Sequence, residues 1–217
     1  MSSTNRGSVR RPADDYPTPE WCTRALLKCA PPPSEVIVCD PCAGEGAILR
    51  VMSDAGYTVR GIEIRPECRA MLCLTCDSAR IDDALAAGGP VFPGESVVTN
   101  PPFSALHAFI ERWTPGRPYA AFLLPLNAFR GQGRAAWWQG REPKAILALP
   151  RRPSFVSICK IDGKKGCGRS FPVAQRGPCP CGEGMISTGT DSIEYGWFLW
   201  GALVEPGIRV ARLDACT

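Results

Sequence analysis

Four apolar residues, Val36-Ile37-Val38-Cys39, run into Asp40-Pro41-Cys42-Ala43-Gly44-Glu45-Gly46 and then into a helical segment, Ala47-Ile48-Leu49-Arg50-Val51-Met52. An uninterrupted β-branched run suits a strand buried on both faces, which calls for a parallel sheet with helices on each side. Strand, glycine turn and helix in that order make the first half of a nucleotide-binding βαβ unit, where Gly44 and Gly46 let the backbone approach a ligand. The third glycine of a dinucleotide fingerprint is missing, and Gly-x-Gly alone also fits a structural turn. A second run, Thr58-Val59-Arg60-Gly61-Ile62, ends at Glu63, 23 positions beyond Asp40. That spacing suits a carboxylate accepting both hydroxyls of a ribose, with a surface carboxylate at a strand end as the plain alternative.

Further apolar runs continue the pattern: Leu72–Cys76 reads as strand three, ending in Asp77, and Val97–Thr99 as strand four. Ala120–Leu124 and Lys144–Leu149 read as strands five and six. Strand four stops at Asn100-Pro101-Pro102-Phe103, where two prolines deny the chain both a helix and a further ladder. The Asn100 carboxamide and the Pro101 carbonyl are thereby held beyond the strand's carboxyl end, where open α/β sheets bind ligands. Two fixed acceptors can take both hydrogens of a planar amino group and draw its lone pair out of conjugation, while Phe103 offers a flat face to the ring carrying it. Ser104–Ile110 has the spacing of a helix behind this turn. Upstream, Thr18 can cap a helix with Pro19 in its first position and Glu20 at its positive end, running to about Leu27. His107, the single histidine, sits one turn into a helix with no partner in sight and reads as a packing or capping residue.

With these residues the chain resembles class I S-adenosylmethionine-dependent amino-methyltransferases, above all the short DNA adenine-N6 enzymes of bacteriophages and prophages. Tyr16-x-Thr18-Pro19, then Asp-Pro-x-Ala-Gly-x-Gly, then Asn-Pro-Pro-Phe follow one another as in that family, from Asp15 to Arg212 apart from one insertion. The resemblance implies a Rossmann-like α/β fold: a seven-stranded, mostly parallel sheet with an antiparallel terminal hairpin, here Arg152–Phe155 and Tyr195–Trp200. It implies S-adenosylmethionine held by Tyr16, Thr18, Pro19, Asp40, Ala43, Gly44, Gly46, Glu63, Asp77 and Asn100. Asp77 would meet the cofactor's adenine, with Asp82 and Asp83 as competing choices. Asn100, Pro101, Pro102 and Phe103 would be catalytic, and Phe103, Phe155 and Arg152 would receive a base flipped from the stack for direct in-line methylation. Similar tetrapeptides serve enzymes that methylate RNA, at guanine N2 or adenine N6, or protein glutamine. A non-catalytic nucleic-acid-binding protein is the rival from another class, and the intact set Gly44, Gly46, Glu63 and Asn100 argues against it.

At 217 residues the chain suffices for one α/β domain with a small appendage. Residues 1–14, with Arg6, Arg10 and Arg11, read as a flexible arm, and 15–217 as the methyltransferase domain, interrupted by a cysteine-rich insertion at 159–190. The chain has 12 cysteines, but its polar N-terminus lacks an apolar export segment and no run reaches a membrane span. A reducing cytoplasm, bacterial or phage-infected, is therefore expected, without membrane association. The insertion holds Cys159, Cys167, Cys179 and Cys181 among Gly, Pro, Lys and Arg. Four thiolates round a zinc ion would order a segment too poor in apolar residues for its own core; a loop with free thiols is the alternative. Cys39 with Cys42 and Cys73 with Cys76 read as accidental Cys-x-x-Cys pairs. From Lys160 to Glu183 the surplus is three positive charges within a chain of net charge +4, compatible with holding DNA phosphates.

Overall fold

The computed structural model describes residues 17–89, 92–129, 132–162, 164–171, 175–189 and 193–211. The expected arm and Tyr16 lie outside the described residues. The strands, in chain order, are β1 (Val38–Asp40), β2 (Val59–Glu63), β3 (Ser78–Ile81), β4 (Ser96–Thr99), β5 (Ala120–Pro125), β6 (Ala145–Ala148), β7 (Val156–Ile161), β8 (Lys164–Phe171), β9 (Gly177–Pro178), β10 (Met185–Gly189), β11 (Tyr195–Trp200) and β12 (Gly207–Val210). The helices are α1 (Glu20–Cys29), α2 (Ala47–Asp54), α3 (Arg69–Thr75), α4 (Leu106–Trp113) and α5 (Gln132–Trp138).

Eight strands form one sheet in the order β3-β2-β1-β4-β5-β11-β6-β12, in which only β11 runs antiparallel to its neighbours. The period of two explains how such a sheet is buried on both sides. In β5, Ala121 and Leu123 face a layer built on Cys22 and Leu26 of α1 and Leu49 and Met52 of α2, while Phe122 and Leu124 face Phe109 and Trp113 of α4 and Trp138 of α5. β11 splits likewise, with Trp197 on the first side and Phe198 and Trp200 on the second. Each such large side chain fully removed from water contributes roughly 1.5–3 kcal/mol. The indole N–H of Trp197 donates to the Cys22 carbonyl at 2.9 Å and that of Trp200 to the Arg141 carbonyl at 2.9 Å, so both tryptophans belong to the core.

Strand order reverses between β1 and β4, which opens a crevice at their carboxyl ends. The expected seven-strand arrangement is present, with β12 as an eighth, edge strand parallel to β6. Three local expectations are corrected. Leu72–Cys76 is not strand three but the end of α3, entered through a 3-10 turn at Pro66–Cys68; Leu72 alone is buried while Leu74 is 84% exposed, a one-sided helical pattern. Strand three is Ser78–Ile81. Arg152–Phe155 forms no strand of the hairpin, because Pro153 has no N–H to give a ladder; β11 instead enters between β5 and β6. Thr18 does not cap α1: Pro19 occupies the cap position, and no side chain bonds there.

The insertion is a four-stranded antiparallel sheet in the order β8-β7-β10-β9, starting at Val156 rather than Cys159. Among the described residues its buried apolar centre is Cys159, Cys179 and Ile186, with Ile161, Phe171 and Cys181 against it.

Candidate active site and cysteine centre

A cleft of about 570 Å³ lies at the reversal of strand order, lined by the turn after β1, the end of β2 and the residues after β4. Asp40, the last residue of β1, is buried and accepts from the Cys42 N–H at 2.9 Å and the Thr99 hydroxyl at 2.7 Å, which ties the ends of β1 and β4 together. Burial pushes its carboxyl up to about 7, against the pull of those two hydrogen bonds. Gly44 and Gly46 have φ of 55° and 86°, left-handed conformations that a side chain strains, and a Cβ on Gly46 would stand 2.6 Å from Thr75 Cγ2. Glu63 closes β2 with its carboxylate inside the fold: Oε2 accepts from the Gly44 N–H at 2.7 Å and Oε1 from the Arg65 N–H at 3.0 Å and Nε–H at 2.9 Å.

Asn100 lines the same cleft, and its Nδ2 donates to the Thr18 hydroxyl at 3.1 Å. That bond turns the carboxamide oxygen to the other side of the group. Thr18 is itself buried, so the Thr-Pro element acts here as a support for Asn100. Pro102 and Ser104 also line the cleft, whereas Phe103 turns its ring to Tyr195, with centroids 6.0 Å apart. Tyr195 in turn meets Phe155 edge-on at 5.1 Å, so the two expected base-binding aromatics are joined through a third. The only hint of Tyr195 in the sequence is its place at the head of the aromatic run.

Of the expected residues, Thr18, Asp40, Ala43, Gly44, Glu63, Asn100 and Pro102 line the cleft; Pro19, Gly46, Pro101, Phe103, Phe155 and Arg152 do not. Arg152 pairs with Glu194 through Nε at 2.7 Å, both half-exposed. Asp77 is displaced from its expected place: it is exposed, at the amino end of β3, and accepts from the Val59 N–H at 2.8 Å, because strand three begins after it. Asp83 lines the cleft instead, with Oδ1 fixed by the Leu85 N–H at 2.8 Å. Sequence reasoning missed Ile64 and Arg65, which follow Glu63 into the cleft. His107 stacks on Trp137 at 3.8 Å, a packing contact. A larger open groove of about 900 Å³, flanked by Gly94, Pro118 and Gly201, lies at the amino ends of β4 and β5, away from these groups.

In the second sheet the sulfurs of Cys159, Cys167, Cys179 and Cys181 all lie within 4.8 Å of one another. Cys159–Cys181 and Cys167–Cys179 are each 3.7 Å apart. Disulfides would bring sulfurs to about 2.05 Å, whereas four ligands at about 2.3 Å from a tetrahedral zinc stand about 3.8 Å apart. The set can hold a metal. Among the described residues no other group of three or more potential ligands gathers, and Cys39, Cys42, Cys73 and Cys76 stay outside it. The N–H of Glu183 is the main cause drawing the Cys181 thiol down to about 7, towards the thiolate a metal needs.

No protein-family model and no curated protein matches this chain. Solved structures do. A provisionally assigned RNA methyltransferase from Pyrococcus horikoshii superposes with a TM-score of 0.59 at 12% identity, covering 91% of this chain and 93% of that one. The modification subunit of a provisionally assigned type I restriction enzyme from Vibrio vulnificus gives 0.55 at 12% identity, over 94% of this chain and 46% of that one. A predicted O-methyltransferase from Agrobacterium tumefaciens gives 0.51 at 13% identity, over 88% and 85%. The fold is that of the class I methyltransferases. Among the described residues no helix is long and apolar enough to cross a membrane.

Proposed function

We propose that this chain transfers a methyl group from S-adenosylmethionine to the N6 amino group of adenine in DNA. The observation that carries the reading is Asn100: a carboxamide at the carboxyl end of β4, oriented by a buried hydroxyl and facing the cleft that contains the Gly44 turn and Glu63. The cleft volume lies within the ordinary range for cofactor sites, roughly 300–1,000 Å³, and the left-handed Gly44 with the buried Glu63 fits a nucleoside carrying an amino-acid tail. When bound, the cofactor supplies a methyl group on a positively charged sulfur. The Gly44 turn holds the amino-acid end, Glu63 accepts from the ribose, and Asp83 stands in for Asp77 near the adenine. The Asn100 oxygen and the Pro101 carbonyl accept the two hydrogens of the target amino group. Their pull strengthens as the nitrogen becomes tetrahedral, so it favours the transition state over the ground state. Phe103, backed by Tyr195 and Phe155, forms the wall against which the flipped base rests. The insertion, whose four cysteines would hold a zinc ion, carries a local surplus of three positive charges that suits it to phosphates.

RNA is the second reading, favoured by the match over nearly the whole Pyrococcus horikoshii protein. Incubation with methyl-labelled S-adenosylmethionine and DNA, RNA or protein, followed by nucleoside and amino-acid analysis, separates these. Label in N6-methyladenine from DNA is expected; label in RNA supports the second reading, and label in protein alone refutes both.

A further inference from the structure

The Glu63 carboxylate has three of its acceptor positions engaged within the fold, two by backbone N–H groups of Gly44 and Arg65 and one by the Arg65 Nε–H. A carboxylate offers about four lone-pair sites, so one remains. A vicinal diol brings two donors, and both can be accepted only if an existing bond gives way. The backbone donors cannot leave without undoing the glycine turn or the corner after β2. The Arg65 side chain can, because it rotates about its own bonds and is 21% exposed. Its guanidinium also lies across the turn: a Cβ on Gly44 would stand 3.4 Å from Arg65 Nη2, and Arg65 lines the same cleft as Gly44 and Glu63.

We propose that Arg65 is a latch on the nucleoside half of the cleft, which a ribose opens by displacing the Arg65 Nε–H from Glu63 Oε1. The latch rests on the reading of Glu63 as the ribose acceptor. It makes Arg65 a positioning and specificity-setting residue whose effect on affinity is opposite in sign to that of Glu63. A ligand with one hydroxyl needs only the remaining acceptor site and leaves the latch shut. The wild-type protein therefore gains less from the second hydroxyl than a protein lacking Arg65.

Calorimetry on the full chain tests this with S-adenosylhomocysteine, which carries no sulfonium charge, and its 2′-deoxy analogue. Arg65→Met keeps the apolar stem and removes the donor. It should bind S-adenosylhomocysteine about tenfold more tightly, the effect of removing one competing charge-assisted hydrogen bond, and should lose more affinity than wild type on removal of the hydroxyl. Arg65→Lys, which keeps the charge without the Nε–H, should shift the same way by less, and decides the matter should the Met variant fail to fold. Glu63→Gln should flatten the discrimination between the two ligands. Equal or weaker binding by both Arg65 variants, with Glu63→Gln still erasing discrimination, overturns the latch and leaves Glu63 as the ribose acceptor. Undiminished discrimination in Glu63→Gln overturns that assignment, and the latch with it.

Discussion

Asn100 owes its orientation to a residue 82 positions earlier, because the Thr18 hydroxyl accepts one of its amide hydrogens at 3.1 Å. The side chain sits at a strand end, so Asn100→Ala opens no core cavity; it removes the donor to the Thr18 hydroxyl and, with it, the acceptor that matters most in the transition state. Single-turnover methylation should fall by ~100- to 1,000-fold, with the fold and cofactor affinity nearly intact. Thr18→Val keeps the shape of the buried support and deletes its oxygen. A carboxamide held less firmly should cost about tenfold in the same rate, as a transition-state group displaced from its working geometry does. The double variant should be no slower than Asn100→Ala alone, since the two residues act through one contact. A wild-type rate for Asn100→Ala at saturating substrate would falsify the amino-methylation mechanism.

At the scale of elements the chain divides into a sheet packed on both faces by apolar side chains and a second sheet on which four cysteines converge. Among the described residues the apolar centre of β7–β10 is Cys159, Cys179 and Ile186, and the sulfurs of Cys159 and Cys181 and of Cys167 and Cys179 stand 3.7 Å apart, close to tetrahedral spacing. Structural zinc supplies on the order of 10–16 kcal/mol of apparent binding energy in small modules, ample to order such a sheet. Protein purified without added metal should contain one zinc per chain. Its removal by a strong chelator should abolish amide-exchange protection in 156–189 while leaving β1, β4 and β5 protected. Cys179→Ser should reproduce the loss and weaken nucleic-acid binding, with cofactor affinity little changed. Full protection in metal-free protein would mean that the sheet stands without the ion.

For the whole molecule, the buried Asp40 makes stability depend on pH. Its carboxyl is raised to about 7 in the fold by burial, from 3.8 in the open chain, so the folded state holds the proton more tightly. The stabilisation is full below about pH 4 and is lost as pH rises towards 7, at up to about 1.4 kcal/mol per pH unit. Asp40→Asn keeps an acceptor for the Cys42 N–H and the Thr99 hydroxyl and cannot ionise. Denaturant unfolding should show the variant gaining on wild type between pH 4 and 7 and holding a constant advantage above that. Parallel stability curves would place the Asp40 carboxylate in a better-solvated setting than its burial implies.

Local signals sufficed for the parts whose cause is local. The first strand with its glycine turn, although it begins at Val38 and not Val36, the strand closed by two prolines at 101–102 and the acidic end of the second run at Glu63 follow their local signals, because strand burial, proline geometry and glycine's conformational freedom act within a few residues. What required the tertiary structure was set by partners distant in sequence. Leu72–Cys76 is as apolar as a strand, and only the packing of Leu72 alone against the core makes it a helix, which moves the strand end from Asp77 to Ile81 and brings Asp83 to the cleft. β11 finds its place between β5 and β6 through the registers it makes with both. The four cysteines, spaced unlike paired Cys-x-x-Cys motifs, meet only because antiparallel pairing of β7 with β8 and β10 folds Cys159, Cys167, Cys179 and Cys181 onto one point, a convergence in space with no counterpart in sequence spacing.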